Sequence, residues 1–355
     1  MSYLSDTVDQ SEWLQRVLSP VPVSVGLIVF GVALLSAQVG IGYPNFMIAA
    51  LDLAVLGLTY GLVVLGLNLQ VGHTGLINFG PHLYYAIGAY TTAMVASEST
   101  IAGVALGLPV PVGVVLGVVL SMVAGLFIGA TSLQLRTDYL AIVTLASAEI
   151  MVRVINGIQF VFGGQTGILN VPQPIHEAAV NYKSELLVTL LILGGVLLLA
   201  YAAVDRLTSS PYGRVLRAIR ADEEAAQSLG KAVPRYKLWV FIYGSALMGL
   251  AGTIVPLYNG SMAPTFTTIQ MTVTVWIGML VGGAANNRAV IGGIGIIIGL
   301  RLVTRYLQQY SPVGGGVFAP LRLVLIGAVL WAVIYYRPQG IWGDPDKLGE
   351  VFTRK

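Results

Sequence analysis

The chain has no cysteine, only three histidines, and few charges: 10% of its 355 residues are Asp, Glu, Lys or Arg. Without cysteine there is no disulfide, no thiolate metal site and no cysteine nucleophile. His73, His82 and His176 are scattered along the chain and form no metal-ligand spacing. A soluble domain normally carries roughly 25% charged residues, so this chain lacks the side chains to coat a soluble fold of its length. Its net charge of +3 is too small to point to nucleic acid. There is no Walker A pattern and no HExxH motif, and no spacing suggests a Ser/His/Asp set. The N-terminal stretch holds Asp6, Asp9 and Glu12, without the basic and short apolar regions of a cleavable signal peptide. Ser11–Leu18 suits either a short amphipathic surface helix or a solvated tail.

What the chain has is apolar surface: 56% of residues are hydrophobic and the mean hydropathy is +0.80. Apolar runs of about 18 residues or more read as membrane spans, because roughly 20 helical residues cross the hydrocarbon. About ten such spans are expected. They run near Pro22–Val39, Phe46–Leu67, Pro81–Ala96, Pro109–Thr131, Tyr139–Asn156, Glu185–Val204, Leu238–Tyr258, Met271–Ala285, Ala289–Leu307 and Pro320–Tyr336. The runs are continuously apolar rather than alternating, which favours helices over a β-barrel. The fold class is therefore an all-α polytopic integral membrane protein, with some spans short enough to be broken or re-entrant. Residues 1–20 form an N-terminal segment, 21–337 the membrane domain and 338–355 a tail.

Charge placement orients the spans. The segment 205–237 holds Arg206, Arg214, Arg217, Arg220, Lys231, Arg235 and Lys237, and positive loops stay in the cytoplasm. Counting spans from there puts Arg136, Arg288, the tail from Arg337 and both termini on the same side. The segment Gly157–Ser184 then lies outside.

Four places interrupt the apolar pattern. Between Gly66 and Tyr90, Gly66, Gly72, Gly75, Gly80 and Gly88 alternate with Asn68, His73, Asn78 and His82. Broken helices at membrane depth expose backbone groups to substrates, whereas small residues also let helices pack closely; from the residues both readings stand. In Arg217–Lys237, Asp222, Glu223 and Glu224 precede Ala225 and Ala226, with Gly230 after them, as in a short helix and its stop. A helix there would transmit force from a cytoplasmic partner; a plain solvated loop is the alternative. Glu149 at membrane depth is a functional candidate by default, and with Asp52 it is the acid an ion-coupled transporter would use; Arg153 shares its helix face, and a self-neutralising structural ion pair is expected of the two. Arg301 and Arg305 share another face and are expected to snorkel. Finally, Gly282, Gly283, Gly292, Gly293 and Gly295 flank Asn286–Arg288, which reads as a packed helical hairpin.

In order, Gly66–Tyr90, Leu135–Ile150 (LRTDYLAIVTLASAEI), Gly163–Ile168 (GGQTGI), Ser210–Lys237, the hairpin near Gly282–Gly293 and Arg337–Trp342 (RPQGIW) resemble the permeases of high-affinity branched-chain amino acid ABC importers. The M-type of the two permeases is the nearer likeness, and the urea importer permease shares the layout. Two departures stand out: Pro81 between Gly80 and His82, and an Asn-rich turn over Ala285–Arg288. The resemblance implies a transport subunit rather than an enzyme. It would sit in a prokaryotic plasma membrane with a second homologous permease, two ATP-binding subunits and an extracytoplasmic binding protein. No cofactor would be bound by this chain, ATP and Mg being held by the ATPase subunits. Asp222, Glu223, Glu224, Ala225, Ala226 and Gly230 match the family's ATPase coupling loop. Asn68, Gly72, Gly75, Asn78 and Gly80 would line the translocation pathway. The expected cargo is a branched-chain amino acid. Urea or a short amide is the alternative within the family, and an ion-coupled secondary transporter the alternative outside it.

Overall fold

The computed structural model describes residues 43–98, 106–132, 137–179, 181–310 and 318–343. The expected span Pro22–Val39, the stretch Ser11–Leu18 and Arg136 lie outside the described residues. In chain order the helices are α1 (Tyr43–Leu67), α2 (Pro81–Ala96), α3 (Val110–Ser132), α4 (Thr137–Gly157), α5 (Gln159–Phe162), α6 (Pro174–Ala178) and α7 (Tyr182–Ser209). They continue as α8 (Pro211–Ala221), α9 (Glu223–Ser228), α10 (Val233–Asn259), α11 (Ile269–Gly282), α12 (Asn287–Tyr310) and α13 (Phe318–Tyr336). Among the described residues seven helices are long and apolar enough to cross a membrane, and α13 holds a shorter apolar helix over Pro320–Tyr336. The chain is all-helical and multi-pass, and every expected span within the described residues overlaps a helix. At 16 residues, α2 is about 24 Å long at 1.5 Å per residue, too short to cross the hydrocarbon unaided.

The chain divides into two compact units, one of residues 58–276 and one of residues 1–57 with 277–355. In the larger unit α2, α3 and α10 pack most closely. Lipid tails are as apolar as leucine, so helices in a bilayer associate by close packing of small residues rather than by burying hydrocarbon from water. That rule is visible in α3. Its buried positions are Gly113, Gly117, Ser121, Gly125, Ile128, Gly129 and Ser132, nearly all small and mostly one turn apart. Val115, Val119, Val123 and Phe127 stay exposed on its other faces. Ser121 donates to the carbonyl of Tyr84 at 3.0 Å, and Thr92 donates to that of Gly113 at 3.1 Å. On the loop after α5, Ile168 and Met262 exchange two backbone hydrogen bonds of 2.8 Å, which ties this loop to the end of α10. His176 on α6 meets Glu185 on α7 at 2.7 Å.

In the smaller unit the turn between α11 and α12 is held by the tail. Ile341 N donates to the carbonyl of Val281 at 2.9 Å and Trp342 N to that of Gly282 at 3.0 Å. Asn286 caps α12, its Oδ1 accepting from Arg288 N at 3.1 Å and Ala289 N at 3.3 Å, while its Nδ2 donates to the carbonyl of Trp342 at 3.2 Å. The Asn-rich turn and the RPQGIW tail are thus one clamp. Asn286→Ala is expected to cost about 1 kcal/mol, as lost caps do, and to lower the melting temperature of the detergent-solubilised protein. An unchanged melting curve would mean that the tail contacts alone hold the turn.

Arg305 does not simply snorkel: its Nη1 lies 3.8 Å from Asp52 Oδ2. The segment between α7 and α10 is shorter than the expected 205–237. Helix α7 runs on to Ser209 and α10 begins at Val233, because Leu207 and Tyr236 pack onto the apolar cluster of Leu69, Val204, Leu216 and Val240.

Candidate translocation and coupling site

Helix α1 does not simply stop at Leu67. It widens into a π-helical turn over Asn68–Gly72, a feature concentrated at functional sites because it frees backbone groups from the regular ladder. His73 N bonds back to the carbonyl of Asn68, and Leu76 N reaches that of Gln70 at 2.9 Å. Gly75 has φ +76°, a left-handed conformation that glycine adopts without steric cost. The chain then runs without regular structure to Pro81, which opens α2 at its first position with its ring in place of a helix N–H. The sequence expectation of a discontinuous segment is met in its backbone.

The polar residues of the break are engaged within the protein. Asn68, Gly72, Asn78 and Gly80 are buried, and Gly75 partly so. Asn78 Nδ2 donates to Gln70 Oε1 at 2.7 Å, and Asn78 Oδ1 accepts from Gly80 N at 2.7 Å. Gln70 Nε2 donates to the carbonyl of Phe241 on α10 at 2.9 Å, and Trp276 Nε1 to that of Asn78 at 3.0 Å. Phe79 N donates to Thr144 Oγ1 on α4 at 3.0 Å, and its ring stacks on Trp276 with centroids 4.6 Å apart. One network thus joins the break to α4, α10 and α11. Gln70, Thr144 and Trp276 were not singled out in the sequence, where each is a single polar residue or aromatic in an apolar run.

Glu149 meets His82 and not Arg153. Its Oε1 lies 3.6 Å from Nε2 of buried His82, Arg153 is exposed, and no ion pair joins the two among the described residues. The (i, i+4) pairing that the spacing allows is replaced by a contact between helices, from α4 to α2.

The polar segment between α7 and α10 is folded as two helices. Helix α8 is amphipathic, burying Gly213, Leu216 and Ile219 with Arg214 and Arg217 outside. Asp222 ends α8 and caps α9, its Oδ1 accepting from Ala225 N at 2.9 Å. Ala226 packs on Ile219 and Val233, and Glu223 is paired with Lys237 on α10. Glu224, Ala225 and Gly230 are exposed. Gly230 has φ +77° and directs the chain back to α10. Leu229 beside it is 79% exposed, a large apolar side chain on a polar segment.

These helices touch the break directly. Leu69 of the π-turn packs with Leu216 of α8, and the Arg220 guanidinium donates to the carbonyl of Gly72. Burial pulls the Arg220 pKa below the ordinary guanidinium value, the mark of a charge drawn out of water and dependent on its partner. In the sequence Arg220 is one of many basic residues of a positive-inside segment, and nothing there separates it from the rest.

A multi-pass membrane protein with a broken span, bonded to a folded polar segment between two other spans, has the build of a transport protein. The sequence model of the family described as "Branched-chain amino acid transport system / permease component" matches residues 49–334. The chain is 30% identical over 327 residues to the high-affinity branched-chain amino acid transport system permease protein LivM of Salmonella typhimurium, covering 85% of this chain and 72% of that one. It is 27% identical over 312 residues to a probable LivM permease of Methanocaldococcus jannaschii (79% and 90% covered) and 25% over 299 residues to the LivH permease of Escherichia coli (82% and 93%). No solved structure matches the chain. The chain belongs to the family of permease components of branched-chain amino acid transport systems.

Proposed function

We propose that the chain is the LivM-type permease of an ATP-driven importer of branched-chain amino acids, working with a second, LivH-type permease. Two ATP-binding subunits dock at α8–α9 and hold ATP and Mg, and an extracytoplasmic protein delivers the substrate. The observation that carries the reading is the bond from Arg220 to the Gly72 carbonyl, which supplies a short mechanical route from a docked motor to the broken span. The basic residues of α8 favour a cytoplasmic position for this segment, with both termini on the same side. Leu229 and the exposed face of α9 offer the docking contact, and Asp222, Glu223 and Ala226 hold that helix in place. The pathway runs beside the break at Asn68–Gly80. Its walls there are backbone and aromatic surface, since the Asn78 amide is consumed by its own network. An ion-coupled mechanism is less well supported, because Asp52 faces Arg305 and because it leaves the folded segment α8–α9 without a role.

The test is reconstitution of the four membrane and ATPase subunits in liposomes, with the binding protein outside. Leucine uptake should require ATP within the lumen. Uptake by this chain alone on an ion gradient, or uptake of urea but not leucine, would overturn the proposal. Gly230→Val forces a β-branched residue into a left-handed conformation, at about 1–2 kcal/mol of strain, and Leu229→Asp places a charge on the docking knob. Each is expected to raise the ATP hydrolysed per leucine moved at least ~5-fold, a loss of about 1 kcal/mol in coupling. The protein should still insert in the membrane at normal levels. Normal stoichiometry in both would remove α9 from the coupling route.

A further inference from the structure

His82 and Glu149 are not used by the coupling route. Glu149 lies in the middle of α4, which spans Thr137–Gly157, so its carboxylate sits at membrane depth. It is only partly covered, with its side chain 41% exposed. A charged side chain facing lipid at that depth costs roughly 2.5–3.5 kcal/mol even on the mildest scale, so this face of α4 opens on water or protein. Opposite it, His82 is buried, and its Nε2 has no hydrogen-bond partner.

The other side of the imidazole is anchored. Thr272 Oγ1 lies 2.7 Å from His82 Nδ1 and accepts from His82 N at 3.3 Å. A hydroxyl oxygen has two lone pairs. In the tautomer with the ring proton on Nδ1 the hydroxyl accepts both donors and Nε2 faces the carboxylate as an acceptor; this is the tautomer that a donor group bound between them selects. The carboxylate oxygen and Nε2 are 3.6 Å apart. Two acceptors at that spacing are bridged by one donor group about 2.8 Å from each. The first amides of α2 are engaged: His82 N meets Thr272 Oγ1, and Leu83 N meets the carbonyl of Gly80 at 3.0 Å. The site therefore offers a cation two acceptors and offers an anion little. Among the described residues no group of three or more His, Asp or Glu side chains stands ready for a metal ion, so a small hydrogen-bonding cation fits better than a metal. Three residues before His82 the stacked Phe79–Trp276 pair supplies apolar surface, Phe79 being 38% exposed.

We propose that Glu149 Oε1 and His82 Nε2 form a binding site for the primary ammonium group of the transported amino acid as it crosses the membrane. The inference rests on the amino-acid reading above and adds the residues that hold the substrate's cationic end.

The experiment uses the complete reconstituted complex and a reporter, Ala146→Cys, at an exposed position three residues before Glu149 on α4. Residues three apart on a helix are surface neighbours. The chain has no native cysteine, so modification by a methanethiosulfonate reagent is read on this subunit by mass spectrometry. Leucine during ATP turnover should slow labelling of position 146, and Glu149→Gln should abolish that protection while leaving labelling itself intact. The same variant should cut leucine uptake about tenfold or more, the size of one lost charged hydrogen bond, whereas Glu149→Asp should recover most of it. Should Glu149→Gln fail to assemble, His82→Gln, which retains an acceptor, is expected to transport well, and His82→Leu, which has none, poorly. An unreactive cysteine, equal protection with and without the carboxylate, or equal transport by His82→Gln and His82→Leu would overturn the site. A wild-type complex that moves no amino acid would instead sink the functional reading, and the site with it.

Discussion

Arg220→Ala is expected to reduce ATP-driven leucine uptake by the reconstituted complex by about 10- to 100-fold, with ATP hydrolysis and membrane assembly retained. The size of the effect follows from the bond lost. The Arg220 guanidinium reaches the Gly72 carbonyl across the joint between α8 and the π-turn of α1, and a hydrogen bond with a charged partner is worth about 1.5–3 kcal/mol. That energy biases a two-state equilibrium by one to two powers of ten. Truncation also leaves the Gly72 carbonyl without this donor in a buried setting, which adds a cost of its own. Arg220→Lys keeps the charge but loses the rigid fork, so an intermediate uptake is expected. The apolar contact of Leu69 with Leu216 would keep α8 docked, which is why failure should appear in coupling rather than in folding. If Arg220→Ala transports at the wild-type rate, force reaches the spans by another route and the guanidinium only fastens the loop.

Gly88→Val is expected to abolish accumulation of folded protein in the membrane, whereas Gly194→Ala should leave it unchanged or slightly more stable. A Cβ on Gly88 would collide with the backbone carbonyl of Gly249 on α10. A backbone atom cannot swing aside as a side-chain tip can, so α2 and α10 would have to separate. Gly117 on α3 sits in the same junction, where its Cβ would come 2.8 Å from the Gly88 carbonyl. Ordinary overpacking costs about 1–3 kcal/mol; here three helices shift together and the loss should exceed that range. At Gly194 on α7 nothing lies within 4 Å of an added Cβ, and glycine in a helix interior costs about 1 kcal/mol relative to alanine. The check is expression and melting temperature in detergent for both variants. Well-folded Gly88→Val would show that the α2–α10 contact tolerates separation.

Much of this was legible without coordinates, and the residues say why. The spans could be read because hydrocarbon imposes one requirement on every residue of a long run, and a run of Leu, Val and Ile satisfies it in one way. Around Gly75 the glycines and Pro81 allowed either a break or a close-packed helix pair, and only the tertiary structure chose the break. Asp222, the acids after it and Gly230 suited a short helix and its stop as well as a solvated loop, and the structure shows the helix α9. Partner choice was not legible. Glu149 had Arg153 within reach along the helix, but it faces His82, distant in sequence. Arg305 had water within reach, but it meets Asp52. Arg220 looked like its basic neighbours until its contact with Gly72 set it apart. Asn78 looked free to line a pathway, but its amide is spent on Gln70 and Gly80.

By itself, then, the sequence determined a multi-pass helical membrane protein and which segment stays polar, because these follow from side-chain hydropathy. The tertiary structure alone decided where the helices break and what the breaks do: that the π-turn bonds to α8, that α2, α3 and α10 meet through glycine, and that Glu149 faces His82. These are contacts between residues far apart in the chain, set by how whole helices rotate and pack, and no local pattern carries that information.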